Sequence, residues 1–175
     1  TVDHAVLLNM FQNVSSDIAA NGIIEDGTAI GMGLANAISR LKDSQAKSKV
    51  IILLTDGSNN RGEISPMTAA EMAKSFGIRV YTVGVGTNGT APYPVQGAFG
   101  KQYVNVTVEI DENVLRQIAQ TAGGQYYRAT SNSKLKEVYE EIDKLERTKL
   151  QVKEFSKNQE EYQPFAENRA LDEMF

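Results

Sequence analysis

Five consecutive aliphatic residues, Val50-Ile51-Ile52-Leu53-Leu54, run straight into Thr55-Asp56-Gly57. A strand with one wet face alternates apolar and polar residues, whereas a run without alternation suits a parallel strand covered on both faces. Parallel neighbours need crossover segments, so this one feature demands helices before and after the run and an α/β architecture.

The flanking sequence supplies them. Between Thr28 and about Lys42, Ile30, Leu34, Ala37, Ile38 and Leu41 recur at three- and four-residue spacing, the pattern of an amphipathic helix. Ser65-Pro66 is a helix start, serine as cap and proline at the first helical position, and Gly77 its stop, giving a helix over 66–76. Ile78 to Val85 reads as a second buried strand, Asp111 to Ala122 as a helix ended by Gly123-Gly124, and Gln125 to Ala129 as a third strand. A helix over 133–150 closes the unit. Its stripe is Leu135, Val138, Tyr139, Ile142 and Leu145, and the pairs Glu140/Lys144 and Asp143/Arg147 suit its solvated face. An opening helix is expected over 3–13, with Asp3 as its cap. Between the second strand and the helix at 111 lies a long segment rich in Gly, Pro and aromatics, within which residues 103–108 alternate as one arm of a small hairpin. The fold expected is a Rossmann-like parallel sheet with helices on both faces, residues 1–150 forming the domain and 151–175 an extension or linker.

The 175 residues suffice for one core. A net charge of −4, with no stripe of Lys or Arg, argues against nucleic acid as a partner. The absence of cysteine excludes disulfides, CxxC redox chemistry and cysteine nucleophiles together. No apolar run approaches the roughly 20 residues of a membrane-spanning helix. The opening Thr-Val-Asp-His carries no basic n-region and reads as an internal stretch of a longer chain, not a signal peptide.

In a sheet of this kind the loops that leave the strands emerge on one edge, where ligands bind. Asp56 follows the first strand, and Thr28 starts the helix leading into it, so both belong to that carboxyl edge. A carboxylate and a hydroxyl, joined by backbone or water oxygens, form a hard-oxygen set suited to Mg²⁺. The plainer alternative makes Asp56-Gly57 a strand-end turn and Thr28 an ordinary helix cap.

The stretch Lys49 to Gly57, preceded by Asp26-Gly27-Thr28-Ala29-Ile30-Gly31 and followed by Gly77 to Gly86, resembles von Willebrand factor A-type (VWA) domains. With Glu137 to Glu146 and Glu160-Glu161-Tyr162-Gln163-Pro164-Phe165, it is most similar to the bacterial aerotolerance-related Bat proteins of the BatA/BatB type. The resemblance covers about residues 1–165. It implies a metal ion-dependent adhesion site (MIDAS) in which Thr28 and Asp56 are ligands of Mg²⁺ or another divalent cation, with Asp26, Gly27, Gly57, Ser58 and Asn59 as the rim. It further implies a protein-binding module, not an enzyme, whose partner offers a carboxylate to the metal, in an inner-membrane protein of the bacterial cell envelope facing the periplasm. The family's Asp-x-Ser-x-Ser loop occurs nowhere in this sequence, so the metal is expected to bind weakly. The first strands are expected to be missing as well, which would leave strand 49–55 with an unpaired, association-prone edge. A metal-independent scaffold for a membrane complex, working through the 88–108 segment and the 133–150 helix, is the alternative.

Gly84-Val85-Gly86-Thr87-Asn88-Gly89 satisfies the dinucleotide-binding pattern, yet Thr-Ala-Pro-Tyr-Pro follows where a helix would have to open. Gly31-Met32-Gly33 suits close helix packing better than a phosphate loop. His4, the only histidine, has no acid–base partner in view and assembles no hydrolytic triad.

Overall fold

A computed structural model describes Val6, Asn9 and residues 27–86, 89–97, 100–108 and 110–172. The helix expected over 3–13 and the residues His4 and Asp26 lie outside the described residues, apart from Val6 and Asn9, which are helical. The elements run α1 (Ile30–Leu41), β1 (Val50–Thr55), α2 (Pro66–Ser75), β2 (Arg79–Val85), β3 (Gly89–Gly97), β4 (Gly100–Val108), α3 (Glu112–Thr121), β5 (Tyr126–Ala129) and α4 (Asn132–Asp172). β1, β2 and β5 form a parallel sheet in that order, with Val50 opposite Arg79 and Thr82 opposite Tyr126, while β3 and β4 form a separate antiparallel hairpin. Among the described residues β1 is therefore an edge strand.

Alternation along the strands sends side chains to two different cores. On one side Ile51, Ile78 and Val80 pack with Ile30, Leu34 and Ile38 of α1, Ala69, Ala70 and Ala73 of α2, and Leu115 and Ile118 of α3. On the other, Tyr81, Val83 and Ala129 meet Val138 and Ile142 of α4. Burial on both faces is why the 50–54 run shows no polar alternation. Thr82 is fully buried in the middle of β2, and its hydroxyl donates to the Leu115 carbonyl at 2.8 Å, which satisfies the group the core would otherwise penalise.

The local signals operate as expected. The Ser65 hydroxyl accepts from Thr68 N at 3.0 Å with Pro66 behind it, and the Asp111 carboxylate accepts from Val114 N at 3.0 Å. Gly77, at φ 64°, takes the left-handed conformation that ends α2. Gly31 is where α1 crosses the segment leading into α2, since a Cβ there would collide with the Ile64 carbonyl oxygen, whereas one on Gly33 would meet nothing within 4 Å. The stripe of α4 is narrower than the sequence suggests: Leu135, Val138 and Ile142 face the sheet, and Tyr139 is largely exposed. Its outer face carries Arg147–Asp143 at 2.8 Å, but Glu140 pairs with Lys136, at 3.9 Å, in place of Lys144. α4 also runs on to Asp172, past the end expected near residue 150. Residues 140–161 are dominated by strong helix formers with neither Gly nor Pro to stop them.

What fastens α4 at the amino end of the sheet is a charged cluster. Glu146, whose side chain is 13% exposed, accepts from Arg79 Nε at 2.8 Å, Tyr81 OH at 2.5 Å and Ser48 Oγ at 3.1 Å, and pairs with Arg79 Nη2. Lys149 Nζ adds a bond to Tyr81 OH at 3.1 Å. Burial alone would raise the Glu146 carboxyl, but the donors from Arg79, Tyr81 and Ser48 outweigh it and hold the group at about 2.

Two predictions follow from this packing. Gly31→Ala should lower stability by about 1–3 kcal/mol through overpacking, and Gly33→Ala should raise it by about 0.5–1 kcal/mol through helix propensity; urea denaturation of both variants checks the pair. Because Glu146 titrates lower folded than unfolded, its contribution is complete above about pH 4.5 and is lost as pH falls toward 2. Wild type should thus lose up to about 3 kcal/mol more than Glu146→Gln across that window in acid unfolding monitored by circular dichroism.

Candidate metal and partner site

Helix α1 has no side-chain cap of its own: its N-cap is Ala29. The first backbone N–H groups of any helix need acceptors, and here they come from the loop after β1. Asn59 Oδ1 accepts from Ile30 N at 2.8 Å and from Gly31 N at 3.4 Å, while Asn60 Oδ1 accepts from Thr28 N at 2.8 Å. In return the Thr28 carbonyl accepts from Asn60 N at 3.0 Å and Arg61 N at 3.2 Å. Loop 56–61 and the start of α1 are thereby tied together across about 30 positions of sequence. Upstream in the same loop, the buried Thr55 hydroxyl accepts from Gly57 N at 3.2 Å and donates to Gly57 O at 3.1 Å, which fixes the turn that carries Asp56.

Thr28 and Asp56 are thus brought to one edge of the sheet. A Cβ on Gly57 would lie 3.2 Å from Thr28 Oγ1, so the hydroxyl faces the backbone next to Asp56 and would have to shift by a few tenths of an ångström for a larger residue. Thr28 is not the helix cap that the plainer reading made it. Asp56 is exposed, and Gly27 stands at the rim with the Arg61 side chain against it. Ser58 opens onto a cleft of about 320 Å³ whose other walls are Ile110, Asp111, Glu112 and Asn113 at the start of α3. Asp26 lies outside the described residues.

Two parts of this edge escaped the sequence reading. Asn60 and Arg61 complete the strap to α1, a role that two consecutive asparagines after Asp-Gly could have signalled, since Asx side chains cap helices. The wall formed by Asp111 to Asn113 was read only as a helix start. Glu112 there is held by Arg116 at 2.9 Å and Arg128 at 3.6 Å, which compensates its charge. The dinucleotide pattern fails on geometry. Gly84 lies near the end of β2, opposite Thr55 and Arg128, and Gly89 begins β3, so no helix N-terminus follows to receive a phosphate.

For a hard cation the donors present are one hydroxyl and one carboxylate, the right chemistry but two of the six positions of an octahedral ion. Among the described residues no group of three His, Cys, Asp or Glu converges. Thr28 and Asp56 fit such an ion as two of its ligands, and other oxygens must complete it.

A doubly covered parallel sheet whose oxygen-bearing loops gather at the carboxyl edge defines a Rossmann-like α/β domain. The von Willebrand factor type A domain model matches residues 3–141, and the chain belongs to that family. An uncharacterized protein of Borreliella burgdorferi is 27% identical over 141 residues, which make up 80% of this chain and 41% of that protein, so the chain spans about two fifths of that relative's length. A UPF0353 protein of Nocardia farcinica is 38% identical over 102 residues, 53% of this chain and 30% of its own. Among solved structures, BatB of Bacteroides thetaiotaomicron superposes with a TM-score of 0.64 at 29% identity, covering 84% of this chain and 71% of that one. An aerotolerance-related membrane protein of Bacteroides fragilis gives 0.60 at 27%, covering 81% and 70%. The expected family and fold are both borne out.

The capping role of Asn59 is directly testable. Asn59→Ala should cost about 1–2 kcal/mol in thermal or urea unfolding, whereas Asn59→Asp, which keeps an acceptor at that position, should restore most of the loss.

Proposed function

We propose that this chain is a protein-binding module assisted by a divalent cation, with Mg²⁺ held at the carboxyl edge of the sheet and a partner's carboxylate completing its coordination. The observation that carries the reading is the placement of Thr28 Oγ1 against Gly57, next to the exposed Asp56, in a loop that Thr55, Asn59 and Asn60 hold in place. Because Asn59 takes the first N–H groups of α1, the Thr28 hydroxyl has no capping duty. Asp56 would bind the ion directly or through water, and Thr28 through its hydroxyl. The ion would supply a positive charge that a partner's Asp or Glu side chain can share. With no Asp-x-Ser-x-Ser loop in this sequence, the two residues alone would hold the ion weakly, given how reluctantly Mg²⁺ gives up water. We read the site as one for binding and not for catalysis.

The likeness to BatB and to an aerotolerance-related membrane protein supports placing the whole protein in the bacterial cell envelope, with this domain on the periplasmic side and a role in stress or aerotolerance. No described helix is long and apolar enough to cross a membrane, so attachment would rest on other segments. A metal-independent scaffold is the second reading, favoured by the lack of a converging acidic cluster among the described residues.

Calorimetric titration with Mg²⁺ and Mn²⁺ should give weak, saturable heat that disappears in Asp56→Ala and falls in Thr28→Ala. No heat with folded wild type, or equal heat in Asp56→Ala, would sink the metal site, and partner capture that persists in EDTA would select the scaffold.

A further inference from the structure

The β3–β4 hairpin stands apart from the domain. Its strands pair with each other, and no other described helix or strand brings its backbone more than marginally close to them. A lone two-stranded ribbon is only marginally stable in water, and this one exposes Tyr103 and Val104, at 70% and 43%.

The two outer edges of the ribbon differ, and the register says how. Gly97 pairs with Gly100 across two residues, the closing pair of a tight hairpin and therefore a hydrogen-bonded one. Counting back, Val95–Gln102, Tyr93–Val104 and Ala91–Val106 are bonded pairs as well, while Pro94–Tyr103 and Pro92–Asn105 are not. The two prolines thus fall where their nitrogens point away from the partner strand, the only ladder position that suits a residue with no N–H. The outer edge of β3 is blunted at two successive outward positions. That of β4 presents outward N–H and C=O groups at Lys101, Tyr103, Asn105 and Thr107 that pair with no described strand.

We propose that β4 is a self-association strand, pairing antiparallel with β4 of a second copy of this chain about a two-fold axis through Val104. Tyr103-Val104-Asn105-Val106-Thr107-Val108 carries no charge, no proline and no glycine and is rich in β-formers, the composition of segments that pair with their own kind. Centred on Val104, the register uses all four outward positions of each copy, setting Tyr103 against Asn105 and Lys101 against Thr107. The only charged residue of β4, Lys101, never meets its own mate. One strand edge buries less than a standard interface, so the dimer is weak and concentration-dependent.

The absence of cysteine makes the test clean. At a two-fold axis the Cβ atoms of a non-bonded pair stand about 4.5–5.5 Å apart, within reach of a disulfide. Under mild oxidation Val104→Cys should therefore give a covalent dimer, and Lys101→Cys mixed with Thr107→Cys a mixed dimer. Tyr139→Cys, on the exposed face of α4, should give neither. In sedimentation equilibrium, wild type should rise from 19.2 kDa toward twice that mass with concentration. Asn105→Pro, which removes only an outward N–H, should weaken the dimer about tenfold or more with an unchanged thermal melt. A wild type that stays monomeric overturns the proposal. So does association through the β1 edge, recognised by dimers that Asn105→Pro leaves intact and Val104→Cys fails to trap, and so does equal cross-linking of Tyr139→Cys.

Discussion

Strand β2 must be buried on both faces, and most of the molecule follows from that constraint. Val80 commits the strand to the three helices on one side, and Tyr81 and Val83 commit it to α4 on the other. A strand so placed has no water for its polar atoms, so each must find a partner inside. Thr82 finds the carbonyl of Leu115 and thereby ties α3 to the sheet. Tyr81 extends its ring through the apolar layer and delivers its hydroxyl to Glu146 at the end of it.

The two ends of the sheet meet this constraint differently. At the amino end, Ser48, Arg79, Tyr81, Glu146 and Lys149 form a closed cluster in which donors and acceptors are mutually spent. A carboxylate held that low by its donors is committed to structure and offers nothing to a ligand. At the carboxyl edge the backbone groups are satisfied between loop and helix, but Asp56 is left in solvent with Thr28 beside its loop. Within one small domain, one polar end fastens a helix and the other leaves a carboxylate facing solvent.

Most of the architecture was legible because its determinants are local. The unbroken run 50–54, the Ser65-Pro66 start, the Gly77 and Gly123 stops and the stripe of α1 each act over a few residues, and each appears where the sequence placed it. The misses lie where partners are distant. Nothing near Ala29 announces that Asn59 will cap its helix, and nothing in Glu146 announces that Arg79 and Tyr81 converge on it. The end of α4 was misplaced for another reason. The apolar stripe that marks a packed helix fades near residue 145, while helix propensity continues through Lys, Glu and Gln without it. Topology alone puts Thr28 and Asp56 on the same edge and family pattern singles them out, while the contact of Thr28 with the Gly57 backbone shows only in the coordinates.

The cap supplied from a distance bears on how well such a site can be positioned. Were Thr28 the cap of its own helix, its hydroxyl oxygen would accept from backbone N–H groups and be lost as a ligand to anything at the edge. Handing that duty to Asn59 and Asn60 frees the hydroxyl and also locks loop 56–61 to a helix that is itself pinned by Ile30, Leu34 and Ile38 in the core. The spacing between Thr28 and the Asp56–Gly57 backbone is thus set by packed elements and not by a free loop, the condition under which oxygen ligands can be held to a fixed geometry. That asparagines do this is chemically economical. Aspartate would cap as well, but would bring a second negative charge next to Asp56 and compete with it for a cation.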